Sequence, residues 1–106
     1  MGKYLITGSY TQSGIQGVLK EGGTARKQVV EQMIKALGGT MEFFYFAFGD
    51  DDFVMVVDGS DNVSTAAASM MAAAAGGARP KVTVLLTPEE VDEASRKTAP
   101  YRAPGQ

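Results

Sequence analysis

The chain has 106 residues, 44% hydrophobic and 21% charged, with ten Lys and Arg against 12 Asp and Glu for a net charge of −2. This is the size and balance of one globular domain, and the cations are scattered rather than gathered into the basic surface that nucleic acid requires. Cysteine and histidine are absent, which excludes disulfides, thiolate nucleophiles and the commonest general base and metal ligand.

The opening MGKYLITGSY lacks the apolar core of a signal peptide, and no window approaches the ~20 apolar residues of a membrane span. A cytoplasmic protein with no membrane partner is expected. Lys3 to Ser9 alternate and read as a first strand; Ile15, Val18 and Leu19 then have the i, i+3, i+4 spacing of a short amphipathic helix, broken by Gly22-Gly23. Thr24 is the expected cap of a second helix, whose apolar stripe is Val29, Val30, Met33, Ile34 and Leu37, with Arg26, Lys27, Glu31, Gln32 and Lys35 opposite. Gly38-Gly39 ends it.

Met41 to Phe48 and Phe53 to Asp58 read as two further strands joined through Gly49 to Asp52 as a hairpin. Asp61 or a neighbouring Ser or Asn is placed to cap an alanine-rich helix ending at Gly76-Gly77. Pro80 opens a fourth strand over Lys81 to Leu86. Thr87-Pro88-Glu89-Glu90 is a capping box with proline at the first helical position, and this last helix is expected to run to about Lys97 before the tail TAPYRAPGQ.

The order β-α-β-β-α-β with a terminal helix predicts an α+β, ferredoxin-like fold: a four-stranded antiparallel sheet in the order 4-1-3-2 with helices on one face. Residues 1–98 are expected to form a single domain, with 99–106 as a C-terminal tail. An uncovered sheet face should be polar. Strand two is apolar on both sides, with Met41, Phe43, Tyr45 and Ala47 one way and Phe44, Phe46 and Phe48 the other. An aromatic face of that size exceeds what monomers usually expose, so a homodimer, open to higher assembly, is expected, formed sheet on sheet around an enclosed space. Coverage by the chain's own terminal helix is the alternative, and Val91 and Ala94 offer little surface for it.

The segments YLITGSYTQSGIQGV, ALGG, MEFFYFAFGDDDFVMVVDG and VTVLLTPEE, in that order, resemble those of the GYD-domain proteins, small bacterial and archaeal proteins of the dimeric α+β barrel type. The resemblance covers residue 3 to about 93 and implies the barrel fold and self-association, with no particular reaction. The family's Gly-x-Tyr-Asp-like segment is met by Gly49 and Asp52, with Asp51 at the tyrosine position, so no role of that tyrosine carries over.

Asp50, Asp51 and Asp52 invite a metal reading, but consecutive carboxylates splay, and the spaced ligands and closing Glu of a calcium loop are missing. Gly49 to Asp51 read as a hairpin tip. Asp52 abuts Phe53 and is expected to be partly buried, bonded to backbone amides or to a base such as Arg26. Glu42 is expected at a sheet edge, its carboxylate in solvent. Tyr10, Arg26, Tyr45 and Asp52 are the candidate ligand-binding residues of a mostly apolar pocket for a small apolar or acidic molecule, with no catalytic residue, cofactor or metal assigned. A self-associating binding or assembly protein is the leading expectation; the alternative is a cofactor-free enzyme acting on a small organic acid or aromatic compound.

Overall fold

In a computed structural model that describes residues 2–106, the chain runs β1 (Gly2–Tyr10), α1 (Gln12–Glu21), α2 (Gly23–Ala36), β2 (Thr40–Phe46), β3 (Phe53–Ser60), α3 (Asn62–Ala74), β4 (Ala78–Leu85) and α4 (Pro88–Ser95). Met1, the first residue of the expected domain, lies outside the described residues. The strands form one antiparallel sheet in the order β2-β3-β1-β4, the expected 4-1-3-2 read from the other edge. The architecture is α+β and ferredoxin-like with an added C-terminal helix.

The helix starts follow from local chemistry. Thr11 caps α1 by accepting from the Gly14 amide at 3.1 Å, and Thr87 and Glu90 close both bonds of the capping box on α4, at 3.0 and 2.9 Å. Thr24 does not cap α2: the helix begins at Gly23, with Gly22 at φ 87 serving both as the C-cap of α1 and the N-cap of α2. Glycine alone among common residues takes that left-handed turn without steric cost, so two helices join there without a loop.

Asp61 caps α3, its carboxylate accepting from the Ser64 amide at 2.7 Å. That bond holds the carboxyl below its ordinary value of 3.8. A folded-state value below the unfolded one means that the cap's contribution is present above about pH 4 and lost as pH falls through the folded value. Asp61→Asn keeps an oxygen acceptor at a position where asparagine caps as well as aspartate. It should therefore leave stability near neutrality unchanged and flatten the acid-side loss, measured by urea midpoints from about pH 6 to about pH 2.5.

β2 breaks regular alternation. Met41 opposes Val57 while Phe43 opposes Val56, so Glu42 is the extra residue of a β-bulge. Strict parity grouped Met41 with Phe43 and Tyr45; the bulge instead turns Met41 to the helix-covered side with Phe44, where the two are each 8% exposed. β2 also ends at Phe46 rather than Phe48, because Phe48 takes a positive φ of 54° and the chain turns away. β3 continues two residues past Asp58, to Ser60, and β4 starts at Ala78, passing through Pro80 opposite Gly8. An edge strand tolerates the missing amide.

The core lies between the sheet and the helices. Tyr4 and Ile6 of β1, Phe53, Met55 and Val57 of β3, and Phe44 of β2 meet Ile34 of α2 and Ala68 of α3. By register, the opposite face carries Leu5, Thr7, Phe43, Tyr45, Val54, Val56 and Leu85. The terminal helix does not cover that face: α4 is exposed along its whole length, and Tyr45 is 66% exposed. Glu42 sits at the β2 edge and is exposed as expected. It also reaches across β3 to Lys3, Oε1 lying 2.9 Å from Nζ, which holds the lysine above its ordinary value.

Candidate functional site

Tyr10 is the last residue of β1, paired with Ala78 of β4 and on the same side of the sheet as Tyr4 and Ile6. Its ring packs on Phe53 with centroids 5.3 Å apart and lies 6.5 Å from Phe46. Arg26, one turn into α2, brings its guanidinium to the same place, and α3 supplies Ala68, Ser69, Ala72 and Ala75 from the other side. These residues, with Val30, Met33, Ile34 and Met55, line a partly open cavity of about 260 Å³. The lining is mostly apolar and the polar groups are few, as in small-molecule sites generally.

The short side chains of α3 account for the space. Alanine both favours the helix and allows it to approach the sheet. Here the approach is achieved at Ala68, 4% exposed, and at the helix end, while farther along the alanines leave a gap. α1 and the segment after α3 meet closely at Gly14 and Gly77, where a Cβ on Gly14 would run into the Gly77 carbonyl oxygen. The Thr11 amide donates to that oxygen at 3.0 Å and the Thr11 hydroxyl to the Gly76 carbonyl at 2.7 Å, so the start of α1 is tied to the segment after α3. Gly14 and Gly77 themselves line the cavity.

Of the four candidate residues, the structure brings Tyr10 and Arg26 to the cavity. Tyr45 lies on the opposite face of the sheet, its ring 5.7 Å from that of Phe43. Asp52 is committed to the backbone: its Oδ2 accepts from the Tyr10 amide at 2.8 Å, its own amide donates to Gly8 at 2.7 Å, and its carbonyl accepts from Ala47 at 2.9 Å. Amides rather than Arg26 are thus its partners, and by gripping Tyr10 it fixes where the phenol enters the cavity. Asp51 lies in the hairpin turn as expected, and its carboxylate also pairs with Lys81 of β4 at 2.7 Å.

Arg26 Nε lies 2.8 Å from Glu21 Oε1 and is itself buried, but the N–H bond does not point along that contact. The ion pair balances the charge and leaves a buried donor without a hydrogen bond. Burial pushes the Tyr10 hydroxyl above its ordinary value of 10.0, against the opposing pull of the Arg26 cation and with added push from the Asp52 carboxylate. The phenol therefore stays protonated, a donor and acceptor at neutral pH. A folded value raised above the unfolded one makes stability complete below about pH 10 and progressively lost above it. Tyr10→Phe should flatten that alkaline decline; the check is the urea midpoint of both chains from about pH 8 to about pH 11.

Among the described residues no group of three or more acidic side chains is placed to hold a metal ion, and no helix is long and apolar enough to cross a membrane. Ser69, Ala72 and the Gly14–Gly77 contact were not singled out in the sequence reading. The available signal was the alanine run itself, because a helix of small side chains over a sheet of large ones leaves unfilled volume.

The GYD domain family model matches residues 4–95, nearly all of β1 through the end of α4. The chain belongs to the GYD domain family. No curated protein and no solved structure matches it. In this GYD domain chain, Asp51 stands at the position the sequence resemblance gives to the tyrosine, and it makes the Lys81 ion pair instead. Asp52, the last member of that segment, holds the end of β1.

Proposed function

We propose that this GYD domain protein self-associates through the open face of its sheet and binds a small, largely apolar or acidic molecule in the cavity beneath α2 and α3. The observation that carries the ligand reading is the cavity of about 260 Å³ in which an apolar lining is interrupted by Tyr10 and Arg26. An apolar body would rest on Val30, Met33 and Met55, and a polar end would meet the phenol and the guanidinium. Asp52 serves by placing Tyr10, and Tyr45 belongs to the self-association surface. Binding rather than catalysis is the reading an apolar lining supports, and a cytoplasmic setting is part of it.

Self-association draws its support from Phe43, Tyr45, Val54 and Leu5 on one uncovered face, because apolar patches of that kind on soluble chains are ordinarily paired. A second copy presents the same face and closes the pair by a twofold axis.

The test is a thermal-shift screen of small organic acids and aromatics against the parent chain and Ala72→Phe, which fills the cavity. A ligand at about 100 times its Kd stabilises by about 2.7 kcal/mol. Compounds that raise the parent's Tm should have little effect on Ala72→Phe; a screen in which no compound moves the parent overturns the ligand reading. Solution mass at micromolar concentration tests self-association separately, and a monomer there refutes it.

A further inference from the structure

The segment from Leu86 to Gln106 is exposed at every residue. Its hydrogen bonds among the described residues stay within it, from the Thr87–Glu90 capping box to the Gln106 amide on Ala103. The radius of gyration is 16.9 Å and the longest dimension 55 Å, against about 13 Å for the radius of a compact chain of this length. A helix of eight residues is too short to hold itself in water even when well capped. Leu86, Val91 and Tyr101 nevertheless stand 61%, 51% and 83% exposed. The sequence specifies a helix here, and the chain's own body does not support it.

We propose that residues 86–106 form an arm that packs on a second copy of the chain along the β2 edge of its open face, beside the sheet-on-sheet contact, so that two copies exchange arms. The proposal rests on the self-association reading and specifies how the pair is held. Area favours this occupant. A face four strands wide at about 4.8 Å spacing and about seven residues long at about 3.3 Å each presents roughly 450 Å². A stable interface buries about 800 Å² per partner. The sheet face alone falls short by about half, and an arm bearing Leu86, Val91 and Tyr101 supplies the remaining surface.

Phe43 and Tyr45 at the β2 edge offer the arm an aromatic seat, 37% and 66% exposed before it arrives.

Sedimentation of the full chain, of a chain ending at Leu85, the last residue of β4, and of full-length Val91→Asp/Tyr101→Asp tests this. Removing the arm touches no buried residue, and the full-length double variant keeps the helix caps. Both changes should weaken the dimer at least ten-fold. A dimer whose Kd is unchanged in both overturns the arm exchange and leaves the face-to-face pair intact; a monomeric full chain overturns both. The chain has no cysteine, so single reporters are clean: Val91→Cys mixed with Tyr45→Cys should give a disulfide-linked pair of copies under mild oxidation. Closure within one chain, in a molecule carrying both substitutions at nanomolar concentration, would place the arm on its own body and refute the exchange.

Discussion

Truncating Phe53 to alanine should destabilise the chain by about 3–5 kcal/mol, the usual cost of emptying an aromatic position in a packed core. Phe53 is 4% exposed, lies parallel to Phe44 at a centroid distance of 6.1 Å and supports the Tyr10 ring at 5.3 Å. Its ring occupies the place a side chain on Gly8 would take: a Cβ there would fall 2.7 Å from Phe53 Cζ. β1 yields volume so that β3 can fill it. Collapse after truncation is restricted, because Gly8 is held between β3 and β4, opposite Phe53 and Pro80. Phe53→Leu should cost markedly less. Urea unfolding reads both, and equal costs for the two variants would show that ring packing is not the cause. The enlarged cavity should accept a small arene such as benzene, raising the Tm of Phe53→Ala more than that of the parent.

Asp52→Ala should cost about 1.5–3 kcal/mol, the range for losing a charged hydrogen-bond partner and leaving the donor unsatisfied. The donor is the Tyr10 amide, partly buried at the end of β1. Asp52→Asn retains an oxygen to accept from it and should cost less than half as much. The pair also separates two roles. A positioning residue tolerates Asn in both stability and ligand affinity, whereas a residue acting through its charge loses affinity in Asn while stability holds. Denaturant midpoints alongside titration with any compound found in the thermal screen make the measurement.

Much of the site was legible because its parts depend on local chemistry. Gly49-Asp50-Asp51-Asp52 between two apolar runs reads as a turn from residue types alone. The same reading separates Asp52 from its neighbours, since it adjoins Phe53, and the Tyr10 amide supplies the backbone partner expected of it. Asp51 lies in the turn as read, but its ion pair was not legible: Lys81 lies thirty positions on and is brought near only when β4 pairs with β1. Tyr10 and Arg26 could be proposed as pocket residues, but that they share a cavity while Tyr45 faces away depends on which side of the sheet each occupies.

The sequence by itself determined the elements, their order and the sheet they form. Periodicity, glycine pairs and the capping residues Thr11, Asp61 and Thr87 act over a few positions, and the rules of strand connection leave few arrangements for that order. Only the tertiary structure decided the rest. The bulge at Glu42 moves Met41 to the core side, a change of register that no local signal encodes because it is set by pairing with β3. The cavity exists because α3, which lies against β4, turns Ala68 and Ala72 toward Ile6 and Met55, a matter of helix placement. The exposure of α4 follows the same logic: its capping box says that a helix starts at Pro88, and only the packed body shows that the helix has nothing of its own chain to lie against.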